Sequence, residues 1–148
     1  MKYLLDTNII SELYKPRPHG SVVRWIERQD ASTLYLSAIT IGEIRRGIEK
    51  KRIRAEYPDS MERAANSLLH METVFAEKIW PFDHRAAHIW ATITLCHPDK
   101  ILDTQIASIA LTNQAAIVTR NKDFTDLASR IEEFGISLPL INPFDEAH

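Results

Sequence analysis

Tyr3-Leu4-Leu5-Asp6-Thr7-Asn8-Ile9-Ile10 opens the chain with an apolar run that breaks at once into a carboxylate, a hydroxyl and an amide. The run reads as a short buried strand, and Ile9, Ile10 and Leu13 behind it recur at helical spacing until Pro16 stops them. A buried parallel strand delivers whatever follows it to the carboxyl edge of a sheet, where open α/β folds collect their ligands. Asp6 is therefore either the N-cap of the next helix or the first member of a site, and the decision turns on whether other acids repeat its placement.

The strand-then-helix step recurs along the chain. After the loop marked by Pro16, Pro18 and Gly20, Ser21 is positioned to cap a helix through Val22, Trp25 and Ile26. Leu34, Tyr35 and Leu36 form a second strand, followed by a helix through Ile41, Ile44 and Ile48 that carries Glu43. A long helix is expected over about 60–77, then a third strand over 79–82, with Asp83 capping a helix that carries Ala87, Trp90, Ala91 and Thr94 up to Pro98. Asp99 or a neighbour starts the next helix, with Asp103 in its first turn and Leu102, Ile106, Ile109 and Ala110 as its apolar stripe. Ala116, Ile117, Val118 and Thr119 make a fourth strand that leads through Arg120, Asn121, Lys122 and Asp123 into a helix through Leu127 and Ile131. Gly135 closes that helix, and Leu138, Leu140 and Ile141 supply a last strand. Alternation of this kind implies right-handed crossovers and a mainly parallel sheet with helices on both faces, an α/β fold of the three-layer α/β/α sandwich type. No repeat or linker divides the 148 residues, so residues 1–148 are expected to form a single domain.

Composition narrows the function. One cysteine, Cys96, cannot make an internal disulfide and is expected in the core. The apolar runs are too short for a membrane span and the first residues lack the pattern of a signal peptide, so a cytoplasmic protein is expected. A net charge of −2 excludes a generic cationic nucleic-acid binder. The densest basic segment is Arg45, Arg46, Lys50, Lys51, Arg52 and Arg54, readable as a solvated helix face or as phosphate contacts. His84 and His88 stand four apart on a helix, but Arg85 occupies the place of the glutamate in a zinc-protease motif and no third ligand is evident. Trp25, Trp80 and Trp90 lie within apolar patterns and read as core, not as base-stacking platforms.

Asp6, Glu43, Asp103 and Asp123 all follow strand ends or sit at helix starts, which a parallel sheet gathers along one edge. Clustered carboxylates repel and raise one another's pKa, so they persist best around a hard divalent cation, Mg²⁺ or Mn²⁺. Each acid has a structural alternative. Glu43 fits the far end of a capping box opened by Thr40, Asp103 gains from the helix dipole, and Asp123 fits the cap of a helix beginning at Phe124.

Leu4-Leu5-Asp6-Thr7-Asn8, the stretch from Leu36 to Gly47 around Glu43, Leu102-Asp103-Thr104-Gln105-Ile106-Ala107 and Val118-Thr119-Arg120-Asn121 follow one another in the order seen in a known family. In these segments, which span nearly the whole chain, the protein resembles the PIN-domain ribonucleases. Within them it resembles the toxins of VapBC-type toxin–antitoxin pairs, nearest to the FitB-like subgroup. The resemblance implies a metal-dependent endoribonuclease in which Asp6, Glu43 and Asp103 hold Mg²⁺ or Mn²⁺ and Thr7, Asn8 and Thr119 support them. The position after Thr-Arg, acidic in many relatives, is Asn121 here. Asp123 therefore substitutes as the fourth acid, or the Asn121 amide fills the fourth site. Thr104 stands where relatives commonly have alanine. Arg45 and Arg46, one turn from Glu43, are candidates to hold the RNA backbone, with a Glu43–Arg46 helix ion pair as the competing role. The expected partners are the RNA substrate, a cognate antitoxin and a second copy in a homodimer, which with antitoxin gives a heterotetramer or larger complex. Two rival functions are a non-catalytic PIN-like module that binds RNA or protein and a receiver-like phosphorylation switch, for which the chain lacks a clear strand-end lysine.

Overall fold

In a computed structural model the described residues are 1–54 and 58–145. Five short strands, β1 (Lys2–Leu5), β2 (Leu34–Ser37), β3 (Ile79–Trp80), β4 (Ala115–Val118) and β5 (Leu140–Ile141), form one sheet in the order β3-β2-β1-β4-β5. Every pair is parallel, with Leu4 opposite Tyr35 and Ile117, and Leu5 opposite Val118. The period of two in the side chains then sorts the core into two layers. Leu4, Tyr35, Ile117 and Leu140 pack under the helices α5 (His84–Ile93), α6 (Ile101–Thr112) and α7 (Lys122–Glu132), around the fully buried Phe124 and Ile106. Leu5, Leu36, Val118 and Ile141 face the other way, under α1 (Thr7–Leu13), α2 (Gly20–Glu27), α3 (Ala38–Ile53) and α4 (Pro58–Val74). The expected three-layer α/β/α sandwich is the observed architecture, and no described helix is long and apolar enough to cross a membrane.

Several boundaries differ from expectation for physical reasons. The cap of α2 is His19, whose Nδ1 accepts from the Ser21 amide at 3.3 Å, while Ser21 is buried inside the helix with its hydroxyl against Arg24. The helix expected to reach residue 77 ends at Val74, because the chain turns through Glu77 at φ 68° before β3. β3 itself stops at Trp80, and Phe82 packs against the core from outside the sheet. Asp83 caps α5 as expected, accepting from the Ala86 amide at 3.0 Å. Of Asp99 or a neighbour, it is the neighbour Lys100 that precedes α6, which begins at Ile101 with no side-chain cap hydrogen bond. After α7 the amides of Gly135 and Ile136 return to the carbonyls of Glu132 and Ile131, with Gly135 at φ 76°, the left-handed closure that glycine makes without strain.

Candidate active site

The strand order reverses beside β1, since the chain passes from β1 outward to β2 and β3 and then returns to the other side as β4. Ligands of open α/β sheets bind at such a reversal, outside the carboxyl ends of the strands. Asp6 directly follows β1 and Thr119 directly follows β4, and the Leu5–Val118 register sets them side by side. The Asp6 amide donates to the Val118 carbonyl at 3.0 Å, and the Thr119 hydroxyl donates to Asp6 Oδ2 at 2.8 Å. Asp6 Oδ1 accepts from the Thr7 amide at 2.7 Å, so the residue also caps α1. Cap and site member are one residue. Asp6 is only 4% exposed, and this burial pushes its pKa up to about 6, against the pull of the Thr119 and Thr7 hydrogen bonds and with a further push from the charges of Glu43 and Asp103.

Thr119 organises its surroundings through one hydroxyl. Its proton goes to Asp6, so its oxygen accepts from the Asn121 amide at 2.9 Å and from Asn8 Nδ2 at 3.4 Å. That arrangement fixes the Asn8 side-chain amide and leaves its Oδ1 buried without a partner among the described residues. Thr7, Asn8 and Thr119, expected as polar supports, are thus all gathered around Asp6.

Glu43 reaches the same corner from α3. The Thr7 hydroxyl donates to Glu43 Oε1 at 2.9 Å and lies 3.2 Å from the hydroxyl of the buried Thr40. The capping box that was the structural alternative for Glu43 is absent, because α3 begins three residues earlier than that reading requires. Ser37 is the cap, its Oγ accepting from the Thr40 amide at 3.0 Å, and Ser37 and Thr40 together seat the helix that presents Glu43. Arg45 pairs with Glu49 at 2.9 Å. Arg46 forms no ion pair with Glu43 among the described residues but lines the same hollow, between Ala38 and Leu102.

Asp103 enters from the first turn of α6 and is half-buried. Its pKa is raised by burial first and then by the negative charges of Asp123 and Glu43, with Lys100 and His97 pulling the other way. Thr104, next to it, turns its hydroxyl inward, accepting from Trp90 Nε1 at 3.1 Å and donating to the Ile101 carbonyl at 2.8 Å, so it ties α5 to α6 and takes no part in the site. Asp123 stands on the rim, with Lys100 Nζ at 3.4 Å and His97 Nε2 at 4.0 Å from its oxygens. It is not the cap of α7. Asn121 is, with its Oδ1 on the Asp123 amide at 3.0 Å, so the Asn121 carbonyl oxygen faces its own helix. Lys100, His97 and Ser37 were not foreseen, and Thr40 was read only as a helix cap. The first two come from the irregular stretch between α5 and α6, where spacing carries no signal.

Other expectations resolve away from the site. His84 and His88 are both exposed on α5. Trp25 is buried, Trp90 is half-buried, and Trp80 is half-buried and stacked on Tyr35 with ring centres 4.0 Å apart. Cys96 is half-buried against the α5–α7 core.

Glu43 and Asp103 line one crevice, their charges act on Asp6, and the charge of Asp123 acts on Asp103, but among the described residues no three Asp, Glu, His or Cys side chains are close enough to grip a metal ion. In its chemistry the donor set suits a hard dication: carboxylate oxygens at Asp6, Glu43 and Asp103, the partnerless amide oxygen of Asn8, and negative charge left uncompensated by burial.

A family profile described as a PIN domain matches residues 3–129. Toxin FitB of Neisseria gonorrhoeae is 36% identical over 123 residues, covering 80% of this chain and 86% of FitB. A protein of Sinorhizobium fredii named VapC ribonuclease Y4jK is 32% identical over 149 residues, covering 97% of this chain and 99% of its own. The crystal structure of FitAcB from Neisseria gonorrhoeae matches with a TM-score of 0.71 at 29% identity, over 97% of this chain and 99% of that one.

Proposed function

The chain belongs to the PIN-domain family, with toxin FitB and a VapC ribonuclease among its relatives, and from that membership we propose that it is a divalent-metal-dependent endoribonuclease toxin. The observation that carries the reading is the Asp6 carboxylate, buried at the sheet's reversal point with its pKa pushed up to about 6 while Glu43 and Asp103 add repulsion. A site built to hold negative charge at such expense is relieved by a dication.

Asp6, Glu43 and Asp103 are the residues to hold Mg²⁺ or Mn²⁺, which when bound supplies Lewis acidity and offsets the charge that builds on a phosphodiester under attack by water. Thr119 and Thr7 fix the orientation of the Asp6 and Glu43 carboxylates through their hydroxyls. Arg46 lies where it can hold a backbone phosphate beside Glu43, whereas Arg45 is engaged by Glu49. Asp123 serves as an outer acid whose charge Lys100 moderates, and the fourth position belongs to it in preference to Asn121, whose amide oxygen is spent on the helix cap.

The same reading makes residues 1–148 one PIN domain working in the cytoplasm as a homodimer. A nuclease toxin is tolerated only when a cognate antitoxin holds it inactive, so that protein is the expected partner. The test is cleavage mapping of total RNA with Mg²⁺ or Mn²⁺, with and without chelator, using Asp6→Asn and Asp103→Asn. Loss of cleavage in both variants and under chelation is expected, and cleavage equal to the parent protein would refute the reading.

A further inference from the structure

A hollow of about 590 Å³ adjoins the acidic crevice, and apart from Thr119 its lining has no part in the chemistry above. The two are joined by Thr119, which lines the hollow and donates its hydroxyl proton to Asp6. One wall is the polar stripe of α7, with Lys122, Thr125 and Ser129 at helical spacing opposite the buried Phe124, Leu127 and Ile131. The other wall is β5 and Asn142 at the sheet's edge. Arg120 stands at the mouth, exposed, with its guanidinium 4.4 Å from the Phe144 ring centre. The two carboxylates of the lining are already engaged, Asp126 by Arg130 at 3.0 Å and Asp145 by the Asn142 amide at 2.7 Å.

The geometry points to this hollow as the subsite for the nucleotide next to the scissile phosphate of a single-stranded RNA, with the base stacked on Arg120 and the backbone phosphate beside Lys122. A guanidinium held over one aromatic ring at 4.4 Å is placed to stack on another π-system as well, and such stacking is tolerant of base identity. The hydroxyls of Thr125 and Ser129 suit the ribose, whose 2′-hydroxyl both donates and accepts. This inference rests on the ribonuclease reading, and its test separates the two. Binding is measured in metal-free buffer, in the Asp6→Asn background, with a labelled oligouridylate about twelve nucleotides long and its abasic counterpart. Arg120→Ala is expected to weaken the oligouridylate about tenfold, to weaken the abasic strand less, and to lower the salt slope by about one. Arg120→Lys restores the salt slope and the abasic affinity but not the base-dependent part. Ser129→Phe fills the hollow without altering charge and weakens both strands. Affinities within about twofold of the parent for both Arg120→Ala and Ser129→Phe, in a protein whose unsubstituted form still cuts RNA, overturn the subsite alone, as they would if a protein partner used this groove. Absence of both binding and cleavage in the unsubstituted protein overturns the subsite together with the ribonuclease reading.

Discussion

The inner and outer walls of the acidic crevice are built by opposite rules. Asp6 is buried, locked by two hydrogen bonds to its oxygens and driven toward the protonated form. Asp123, across the crevice, is partly exposed and accompanied by Lys100 and His97. The first wall stores electrostatic strain that a dication or a proton relieves, and the second has cations of its own. Four acids at one sheet edge therefore do not make four equivalent ligands, because solvent and neighbouring cations decide which charge stays uncompensated.

The largest expected contrast is catalytic. Asp6→Asn or Asp103→Asn should lower Mg²⁺-dependent cleavage by about a thousandfold or more, while Asp123→Asn costs about tenfold or less. Single-turnover rates on one RNA check this, and equal losses at Asp6 and Asp123 would erase the distinction between the walls.

Stability should move in the opposite sense to activity. The Asp6 pKa is raised in the folded state from 3.8 to about 6, so its penalty on folding is nil below the unfolded value and grows as pH rises through the folded one. Metal-free Asp6→Asn should therefore be more stable than the parent at pH 7 to 8 by something on the order of 2 kcal/mol, or about 5 °C in Tm, with the difference gone near pH 4. Thermal melts across that range check it, and a destabilised variant at neutral pH would mean that the hydrogen bonds outweigh the burial.

Thr119→Val removes the donor to Asp6 and the acceptor for Asn121 and Asn8, and should destabilise the protein by about 1–2 kcal/mol. Because that hydrogen bond lowers the Asp6 pKa, its loss should also raise the acid limb of the pH–rate profile, which a purely structural defect would leave in place. The smallest effect belongs to the outer wall, where Lys100→Ala should change stability by less than about 1 kcal/mol in denaturant titration, as a part-exposed ion pair does.

Sequence made the inner wall legible and left the outer one obscure. β1 and β4 are central and buried, so their apolar runs end sharply at the residues that matter, Asp6 and Thr119. The caps were harder. Ser37 and Thr40 are both good cap residues three apart, as Asn121 and Asp123 are two apart, and which one serves depends on where the strand before it ends, a tertiary fact. The approach of Lys100 and His97 to Asp123 spans more than 20 residues and is set by how α7 packs against α6 and the stretch before it, so no local pattern announces it.

The bond from Thr119 to Asp6 joins positions 113 residues apart. On a chain made from its N-terminus, Asp6 emerges among the first residues, and its partner emerges only after four-fifths of the polypeptide. Until β4 lies beside β1, the carboxylate can have the local Thr7 amide but neither the Thr119 hydroxyl nor the shelter of that strand. The complete environment of Asp6 is thus withheld from the nascent chain by topology, and a ribosome makes most of the protein before it can form.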